Sequence, residues 1–447
     1  MDIHIFGAGP SGISLAWMLA RVGNNVHLYD KHRIVGGSWM EPSPKERNLH
    51  AWRIVFKNAS PNTLALFKSM GLQWDDYFEP HSDQVSANEV LQTLTPFDIF
   101  VFAILYTNAV LKYDVTSSCD SALKAWGASA AFRKFVNKLC YHIDGVPSSV
   151  MSAYEFFAAL DHVALSSTAT QKESGYKMCK DMENALLAVG VHIHHECILT
   201  SVRLDAATAT YKTSHGAQQL NIVPGRCEVV LCLDAGPMHA LLSSQVDVPT
   251  KGTYGAINVV YEFEEDVSIG NHYNLLFRCD WSPIVSVLPG KREISCVLCD
   301  NESKSMFTNT TVIESNEQLI VKELLRQIQE HVTLPTPKAH RICWGTTWDQ
   351  RQQKWLHEQT ANVITHEGFI PHQMATGMYA CCLLNNRTTP YASLEAAVEA
   401  SRIFANTYFP STRKSFPALR SKRLSSFVFV VALVFLLIGI CRPVVKK

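Results

Sequence analysis

The first thirty residues alternate between apolar runs and glycine-rich breaks. Residues 2–6 form a short apolar run that predicts a β-strand, and the glycine-rich segment 7–12 follows at once. Apolar positions at helical spacing then predict a helix over 11–22, which a glycine and two asparagines end. A second apolar strand is predicted at 26–29, directly before Asp30. This order and these lengths predict a β-α-β unit at the start of the chain.

The rest of the chain mixes helical and strand periodicity. Helices are predicted at 61–72, 90–114, 130–141, 152–161, 174–189, 315–331 and 391–408. Strands are predicted at 191–194, 198–204 and 229–233, with alternating segments typical of antiparallel strands at 253–264 and 283–300. The run 90–114 is nearly as apolar as a membrane span. Because Asp98, Thr107 and Asn108 interrupt it, the pattern favours a buried helix.

The last part of the chain is its most apolar stretch. Residues 424–441 carry no charged side chain, and basic residues both precede and follow them. At 1.5 Å per residue, a helix of this length is about long enough for a thin hydrocarbon layer. We predict a basic linker over 411–423 and a transmembrane tail anchor over 424–442, with the body of the protein facing the cytosol.

Composition places the chain among folded globular proteins. Its 447 residues are 47% hydrophobic and 18% charged, which is enough for more than one domain. Lys+Arg and Asp+Glu both number 40, so the formal net charge is zero and no nucleic-acid partner is predicted. The 13 cysteines follow no framework and no secretory signal leads the chain, which indicates reduced thiols.

Neither of two metal-like patterns is predicted to hold a metal. Cys296 and Cys299 have CxxC spacing, but they lie in an alternating strand pattern and no second pair completes a zinc site. His192, His194 and His195 lie on a short predicted strand, where solvent-facing histidines are the favoured interpretation.

The glycine-rich segment carries the clearest chemistry. Gly7, Gly9 and Gly12 have GxGxxG spacing between a strand and a helix. The first glycine permits the tight turn, the second lets backbone approach a pyrophosphate, and the third permits close helix–strand packing. The N-terminus of the helix then faces the phosphates with its partial positive charge. Asp30, at the end of the second strand, is placed to accept hydrogen bonds from ribose hydroxyls. We therefore predict dinucleotide binding.

A second glycine pair, Gly36-Gly37, follows six residues after Asp30 and lets backbone lie close to more of a diphosphate. With this pair, residues 3–39 resemble the start of the flavin amine oxidase and phytoene desaturase superfamily. Residues 48–72 resemble the family segment that leads to a short helix ending in Gly-Leu. The resemblance implies an FAD cofactor. Nothing in the residues before 378 reproduces the cysteine to which monoamine oxidases attach flavin, so we expect FAD to be bound non-covalently.

The resemblance extends into the second half of the chain. Residues 197–202 resemble the strand whose backbone touches the adenine, and residues 228–242 resemble the strand that returns to the cofactor. Residues 378–405 resemble the C-terminal motif, in which a helix begins beneath the flavin and its free N–H groups polarise the pyrimidine carbonyl. The chain departs from that motif at Cys381-Cys382, which stand where the family has Gly-Asp or Gly-Glu. The carboxylate for the ribityl–phosphate region is therefore missing.

The motifs and the resemblance together give one predicted cofactor site. The predicted cofactor-binding residues are Gly7, Ala8, Gly9, Pro10, Ser11, Gly12, Asp30, Lys31, Gly36, Gly37, Ser38, Leu199, Ser393 and Leu394. No catalytic residue is predicted, because a flavin accepts the hydride itself and needs no side-chain acid or base.

The resemblance implies a glutathione-reductase-like α/β architecture with a Rossmann-type FAD-binding domain. We predict this domain from residues 1–60, 174–250 and 340–410, and a mixed α+β substrate domain from 61–173 and 251–339. The tail resembles that of monoamine oxidases, which implies the mitochondrial outer membrane. The endoplasmic reticulum is the alternative, since its bilayer is also thin.

The leading functional hypothesis is an FAD-dependent oxidoreductase that removes a hydride from an amine or an unsaturated lipid-like small molecule, tethered to a membrane. Oxygen or another acceptor would reoxidise the flavin. One alternative is a catalytically inactive flavin-fold scaffold at a membrane, which Cys381-Cys382 motivates. The other is an NAD(P)-binding reductase or mutase-like enzyme.

Overall fold

The structure is a computed structural model that describes residues 1–41, 54–80, 94–172, 175–248, 253–270, 273–288, 290–343, 345–357, 361–362 and 370–426. The strands are β1 Asp2–Phe6, β2 Asn25–Tyr29, β3 Ile54–Phe56, β4 Phe78–Pro80, β5 Thr168–Gln171, β6 His192–His194, β7 Ile198–Arg203, β8 Thr208–Thr213, β9 Gly216–Asn221, β10 Cys227–Leu231, β11 Thr253–Tyr254, β12 Ile257–Glu262, β13 Ile284–Val287, β14 Glu293–Leu298, β15 Ala339–Ile342, β16 Thr346–Asp349, β17 Lys354–His357, β18 Ala361–Asn362, β19 Gln373–Ala375 and β20 Met378–Ala380. The helices are α1 Pro10–Arg21, α2 Pro61–Met70, α3 Trp74–Tyr77, α4 Pro96–Leu111, α5 Cys119–Ala125, α6 Ala130–Asp144, α7 Ala153–Val163, α8 Gly175–Ala188, α9 Ala235–Leu242, α10 Tyr273–Arg278, α11 Glu317–Gln329 and α12 Leu394–Tyr408.

A six-stranded sheet in the order β19-β20-β10-β1-β2-β6 forms the centre of the fold. All pairs in it are parallel except the edge pair of β19 with β20. In β1, Ile3, Ile5 and Phe6 are all buried, as expected of a parallel strand that is covered on both faces. The carboxyl ends of β1 and β2 meet at one edge of the sheet, where open α/β sheets bind ligands. This confirms the predicted Rossmann-type arrangement.

Helix α1 lies between the central sheet and α12. Its apolar residues pack into one core with those of β1 and α12, for example Ile13 with Val398 and Phe404. The side chains of two serines lock the helices together: Ser401 Oγ donates to Ser11 O at 2.9 Å, and Ser11 Oγ donates to Ala397 O at 3.5 Å. The start of the last helix is thereby held beside the start of the first.

The second layer of the fold contains an antiparallel sheet and a helical group. The sheet has the order β13-β14-β12-β15 and packs against α11 through a core that includes Trp281 and Tyr261. Helices α4 to α7 share another core, which includes Phe132 and Phe156. The predicted assignment of these parts to two domains stays a prediction.

Helix α4 differs from the buried helix predicted for 90–114. Asp98, which interrupts the apolar pattern, closes a capping box with Thr95 and so begins the helix. One face, with Val101 and Leu105, is buried, whereas Phe100 on the other face is 56% exposed. Apolar residues occur on both faces of this helix, so the sequence pattern does not indicate which face is covered.

The transmembrane tail predicted over 424–442 is wrong by this structure. Among the described residues, which end at Ser426, no helix is both long and apolar enough to cross a membrane. The 16-residue α4 rises only about 24 Å at 1.5 Å per residue, against about 30 Å of hydrocarbon. Ser425, near the start of the predicted anchor, contacts helix α7: its backbone N–H donates a hydrogen bond to Asp161 at 2.6 Å. The predicted single-pass localisation fails with it. Residues 427–442 lie outside the described residues.

Histidines of three adjacent strands form a stacked row on the central sheet. His4, His27 and His192 are in register, and their neighbouring ring centroids lie 4.8 Å apart. His192 is exposed, as predicted, but His194 is half-buried, and its Nε2 lies 3.2 Å from His27 Nδ1. Burial lowers the pKa of His4 to about 4 and also lowers those of His27 and His194. Burial therefore disfavours protonation of His4, His27 and His194 in the folded protein.

Acidification is expected to destabilise the protein through His4. Because the folded-state pKa is below the usual value of about 6.5, the unfolded chain takes up the proton first as pH falls. Stability contributed by neutral His4 is therefore complete above about pH 6.5 and is lost towards pH 4, by about 1–2 kcal/mol at pH 5. Urea unfolding at pH 7 and pH 5 measures this loss. His4→Gln should reduce it, whereas His215→Gln, at an exposed turn position, should not. An equal pH dependence in all three proteins would contradict the assignment.

Candidate cofactor site

The first glycine turn is closed by backbone contacts that only glycine permits. Gly7 has φ +102°, and a Cβ there would lie 2.2 Å from Cys232 O. A Cβ on Gly12 would lie 1.9 Å from Gly7 O. The Gly7 N–H also donates to Tyr29 O at 2.8 Å, which fixes the turn to β2. These two glycines therefore build the turn.

Gly9 has a different role from its two neighbours. It is the N-cap of α1 with φ −75°, and Pro10 occupies the first turn of the helix. A Cβ on Gly9 would meet its nearest neighbour, Gly37 Cα, only at 3.8 Å, which is an ordinary contact. Because the cap has no side chain to accept the first N–H groups of α1, these groups point towards the space in front of the helix. That geometry suits an anion.

Asp30 stabilises the glycine turn from the end of β2. Its Oδ2 accepts the backbone N–H of Ala8 at 2.7 Å, and its Oδ1 accepts that of His32 at 2.9 Å. The carboxylate is buried, whereas the neighbouring Lys31 is exposed. Each carboxylate oxygen has two lone pairs, so the predicted contact to a ribose remains chemically open to Asp30.

The second glycine pair lies directly against the first turn. The Gly36 N–H donates to Ala8 O at 2.7 Å, and a Cβ on Gly37 would lie 2.8 Å from Gly9 Cα. Gly36 and Gly37 have φ values of +131° and +55°, so both adopt backbone conformations that glycine permits more readily than other residues. Ser38 is half-buried in the short 3₁₀ turn that follows. The two glycine turns form one continuous backbone surface.

Helix α12 begins at the same place. Ser393 is its N-cap, and its side chain accepts the Ala396 N–H at 3.1 Å. The first turn of α12 is fixed from the other side by Glu395, whose carboxylate accepts the backbone N–H groups of Asn62 and Thr63 at 3.0 and 2.8 Å. These two residues open α2, so Glu395 binds the N-terminus of that helix.

A small apolar cavity joins these elements. It is lined by Pro10, Ile13, Gly36, Trp39, Leu66, Met178, Cys179, Met182 and Leu394. The structure thus brings predicted residues from three separate segments, namely Pro10, Gly36 and Leu394, around one space. Trp39 was missed by the sequence-based prediction. The available signal was its position two residues after the glycine pair.

Leu199 lies on β7, which follows the predicted ribose-binding side of the site. It is half-buried next to a bulge in that strand, and Cys197, two residues earlier, donates its N–H to Asp30 O at 2.8 Å. The start of β7 is therefore hydrogen-bonded to Asp30, the residue predicted to bind the ribose. The complete set of predicted cofactor contacts stays a prediction.

The cysteines that stand where the family has Gly-Asp, Cys381 and Cys382, are both buried. Cys381 Sγ lies 3.7 Å from Ser401 Oγ, and Cys382 donates its backbone N–H to Asn385 Oδ1 at 2.7 Å. Burial raises the pKa of the Cys382 thiol to about 12. A neutral thiol accepts hydrogen bonds only weakly, so neither cysteine substitutes for a carboxylate.

Comparison with known proteins agrees with this geometry. A family model described as an NAD(P)-binding Rossmann-like domain matches residues 5–70, which hold both glycine turns and Asp30. A search of curated proteins gave no match.

Solved structures resemble the chain over nearly its whole length. A putrescine oxidase bound to putrescine superposes with a TM-score of 0.64 at 12% identity, covering 92% of this chain and 99% of that one. Cyclohexylamine oxidase from Brevibacterium oxydans IH-35A gives 0.60 at 12% identity, covering 92% and 99%. An oxidoreductase from Methanosarcina mazei gives 0.61 at 12% identity, covering 91% and 100%. The chain therefore shares its fold with these oxidases, which agrees with the fold that the sequence resemblance implied.

Proposed function

We propose that the protein is a flavin-dependent oxidoreductase that holds FAD non-covalently and removes a hydride from an amine. The observation that carries the proposal is the convergence of two helix N-termini, those of α1 and α12, with the second glycine turn around one cavity. A dinucleotide that ends in a flat ring system would find backbone N–H groups for its phosphates at the helix N-termini and apolar side chains for its ring between them. The named activities of the putrescine and cyclohexylamine oxidases favour an amine as substrate.

Each part of the site would contribute a different interaction with FAD. The N–H groups at the start of α1 would bind the diphosphate, and Gly9 and Gly37 would let it approach the backbone. Asp30 and the strand that carries Leu199 would bind the adenosine half. The first N–H groups of α12, at Ser393 and Leu394, would face the pyrimidine ring and stabilise negative charge there. Trp39 would exclude water from the ring system.

The flavin itself supplies the redox chemistry, since its ring accepts a hydride without help from an acidic or basic side chain. The protein's share is to bind the cofactor, orient the substrate and tune the charge near the ring. The substrate would be a small molecule that approaches the ring from the side that the bound diphosphate leaves open.

A second candidate function rests on Cys382. Because a buried neutral thiol replaces the carboxylate at the ribityl–phosphate position, the protein would hold flavin more weakly than its relatives. A flavin-fold scaffold without turnover has this property as well. Flavin retention alone therefore does not decide between the two functions, and reduction by substrate must be measured.

Purified protein is expected to be yellow, with an absorbance maximum near ~450 nm from bound flavin. Anaerobic mixing with putrescine or cyclohexylamine should then bleach this band. A yellow protein that no amine bleaches would favour the scaffold. A colourless protein that takes up no added FAD, but binds NAD(P), would contradict the proposed function and favour the reductase alternative.

A further inference from the structure

The outward side of helix α4 is almost entirely apolar. Phe97 and Phe100 are 53% and 56% exposed near its start, and Leu111 is 71% exposed at its end. Single exposed apolar residues are common on protein surfaces, but a continuous row of them marks an interaction surface. The residues of this row, which we call the α4 face, are Pro96, Phe97, Ile99, Phe100, Ala103, Thr107, Val110 and Leu111.

The opposite side of α4 fixes the helix to the protein. Val101, Leu105 and Ala109 are buried in the core that α4 shares with α5, α6 and α7. Asp98, the only charged residue of the helix, is fully buried, and it accepts the backbone N–H of Ser129 at 2.9 Å. The α4 face is therefore uncharged and held in place by the packing behind it.

The one polar side chain on the α4 face needs no partner from outside the helix. Thr107 Oγ1 donates to Ala103 O, one helical turn earlier, at 2.8 Å. A buried hydroxyl is costly only when it lacks a hydrogen-bonding partner. Another protein surface can therefore cover Thr107 without leaving its donor unsatisfied.

The exposed aromatic rings give this region the size of a protein interface. At about 150–250 Å² for each aromatic side chain, the exposed fractions of Phe97, Phe100 and Tyr113 correspond to roughly 300–500 Å². Tyr113, two residues beyond the helix, is 84% exposed. The exposed aliphatic residues of the α4 face bring the area towards the ~800 Å² that each partner contributes to a standard interface.

The spacing of the α4 face matches a second copy of the same helix. Phe100, Ala103, Thr107 and Val110 are separated by three, four and three residues, which is the spacing of positions that pack between two helices. In an antiparallel pair with its twofold axis beside Leu105, Phe100 lies opposite the partner subunit's Val110. Ala103 then lies opposite the partner subunit's Thr107. Small residues at the crossing point let the two helices approach closely.

We propose that the protein forms a homodimer in which the α4 faces of two copies pack against each other in antiparallel orientation. An interface of this kind is self-complementary, because the same uncharged surface is used by both copies. A lipid surface matches α4 less well, since helices that lie on membranes are rich in basic residues beside their apolar face and α4 has none. Lys112 and Asp114, which follow the helix, have opposite charges. The dimer does not depend on the proposed flavin chemistry.

The test is sedimentation velocity of the full chain in buffer without detergent, where a dimer is expected. Phe100→Glu places a carboxylate from each copy in the apolar contact, so the dissociation constant of the dimer should rise at least ~100-fold. Leu187→Glu is the matched control, because Leu187 of α8 is 52% exposed but lies outside the α4 face. It should leave the dissociation constant unchanged.

The antiparallel orientation has a separate test. Ala103→Cys and Thr107→Cys chains are mixed and oxidised with copper phenanthroline. The mixture should give a covalent dimer, because the two positions lie opposite each other, and either variant alone should give much less. Equal cross-linking of all three samples would overturn the proposed orientation.

Three results would overturn the dimer itself. The first is a chain that stays monomeric, and the second is a dimer that Phe100→Glu does not weaken. The third is binding of a monomeric chain to phosphatidylcholine–phosphatidylserine vesicles that Phe100→Glu abolishes, which would assign the α4 face to a lipid surface. Circular dichroism confirms that each variant is folded. If Phe100→Glu does not fold, Leu111→Glu at the exposed end of the helix carries the same test.

Discussion

Replacing Gly9 with leucine is expected to abolish flavin retention and leave the fold intact. The backbone of Gly9 has φ −75°, which any residue adopts, and a Cβ there has ordinary contacts. The leucine side chain would then occupy the space between the two glycine turns, where the diphosphate is expected to bind. We expect flavin affinity to fall at least ~100-fold, because the N–H groups of α1 would no longer reach a phosphate. The free energy of unfolding without cofactor should change by less than ~1 kcal/mol.

Gly12→Ala provides the matched comparison. Its added methyl group would lie 1.9 Å from Gly7 O, so the turn must open and the packing of α1 must shift. This variant should lose stability as well as flavin. Absorbance at about 450 nm after gel filtration measures retention, and urea unfolding of the cofactor-free proteins measures stability. Full flavin retention by the Gly9 variant would refute the assigned diphosphate site.

Replacing Glu395 with alanine should cause the largest loss of stability. Glu395 is 2% exposed, and its carboxylate accepts four hydrogen bonds, two from backbone N–H groups and two from the Asn62 Nδ2 and Thr63 Oγ1 atoms. Alanine would leave the two backbone N–H groups and the Thr63 hydroxyl without this acceptor, while Asn62 Nδ2 would keep only Leu419 O, and the start of α2 would be detached from α12. A loss of about 3–5 kcal/mol in the free energy of unfolding is expected.

The measurement is urea unfolding of the full chain, with Glu317→Ala as the control. Glu317 also lies in the first turn of a helix, α11, but it is exposed. Its replacement should cost less than ~1 kcal/mol, since it loses only a screened interaction with the helix dipole. A similar small loss at both positions would show that Glu395 does not join the two helices.

The sequence predicted those parts of the fold that depend on short segments. A strand, a glycine turn, a helix and a second strand follow one another within thirty residues, so their spacing alone indicates a nucleotide-binding unit. The helix over 61–72 was predicted for the same reason, and Gly71 ends it with φ +78°. The hairpin of β8 and β9 and the short helix α5 were missed. β8 contains the strand-favouring residues Thr and Tyr, but β9 contains few of them and α5 has only 7 residues, so no extended periodic pattern marked these elements.

Chemical roles were harder to predict than elements. Asp98 was interpreted as an interruption of an apolar run, but it caps the helix that contains that run. The apolar tail pattern predicted a membrane span, yet its first residues are hydrogen-bonded to Asp161 of α7. In both cases the polarity of the residues could be read directly from the sequence. The hydrogen-bonding partner that determines the role of such a residue is known only from the folded structure.

By itself, the sequence determined the β-α-β start, the two glycine turns and the acidic residue between them, because each depends on backbone conformation within a few residues. Only the tertiary structure decided which distant segments complete the site. Leu394 and Gly36 line one cavity, and Asp144 accepts the backbone N–H of Ala392. The physical reason is that the energetic effect of a buried charge, or of an apolar side chain that lines a cavity, depends on the residues that surround it. Those neighbours are brought together by packing of the helices and sheets, which no local pattern encodes.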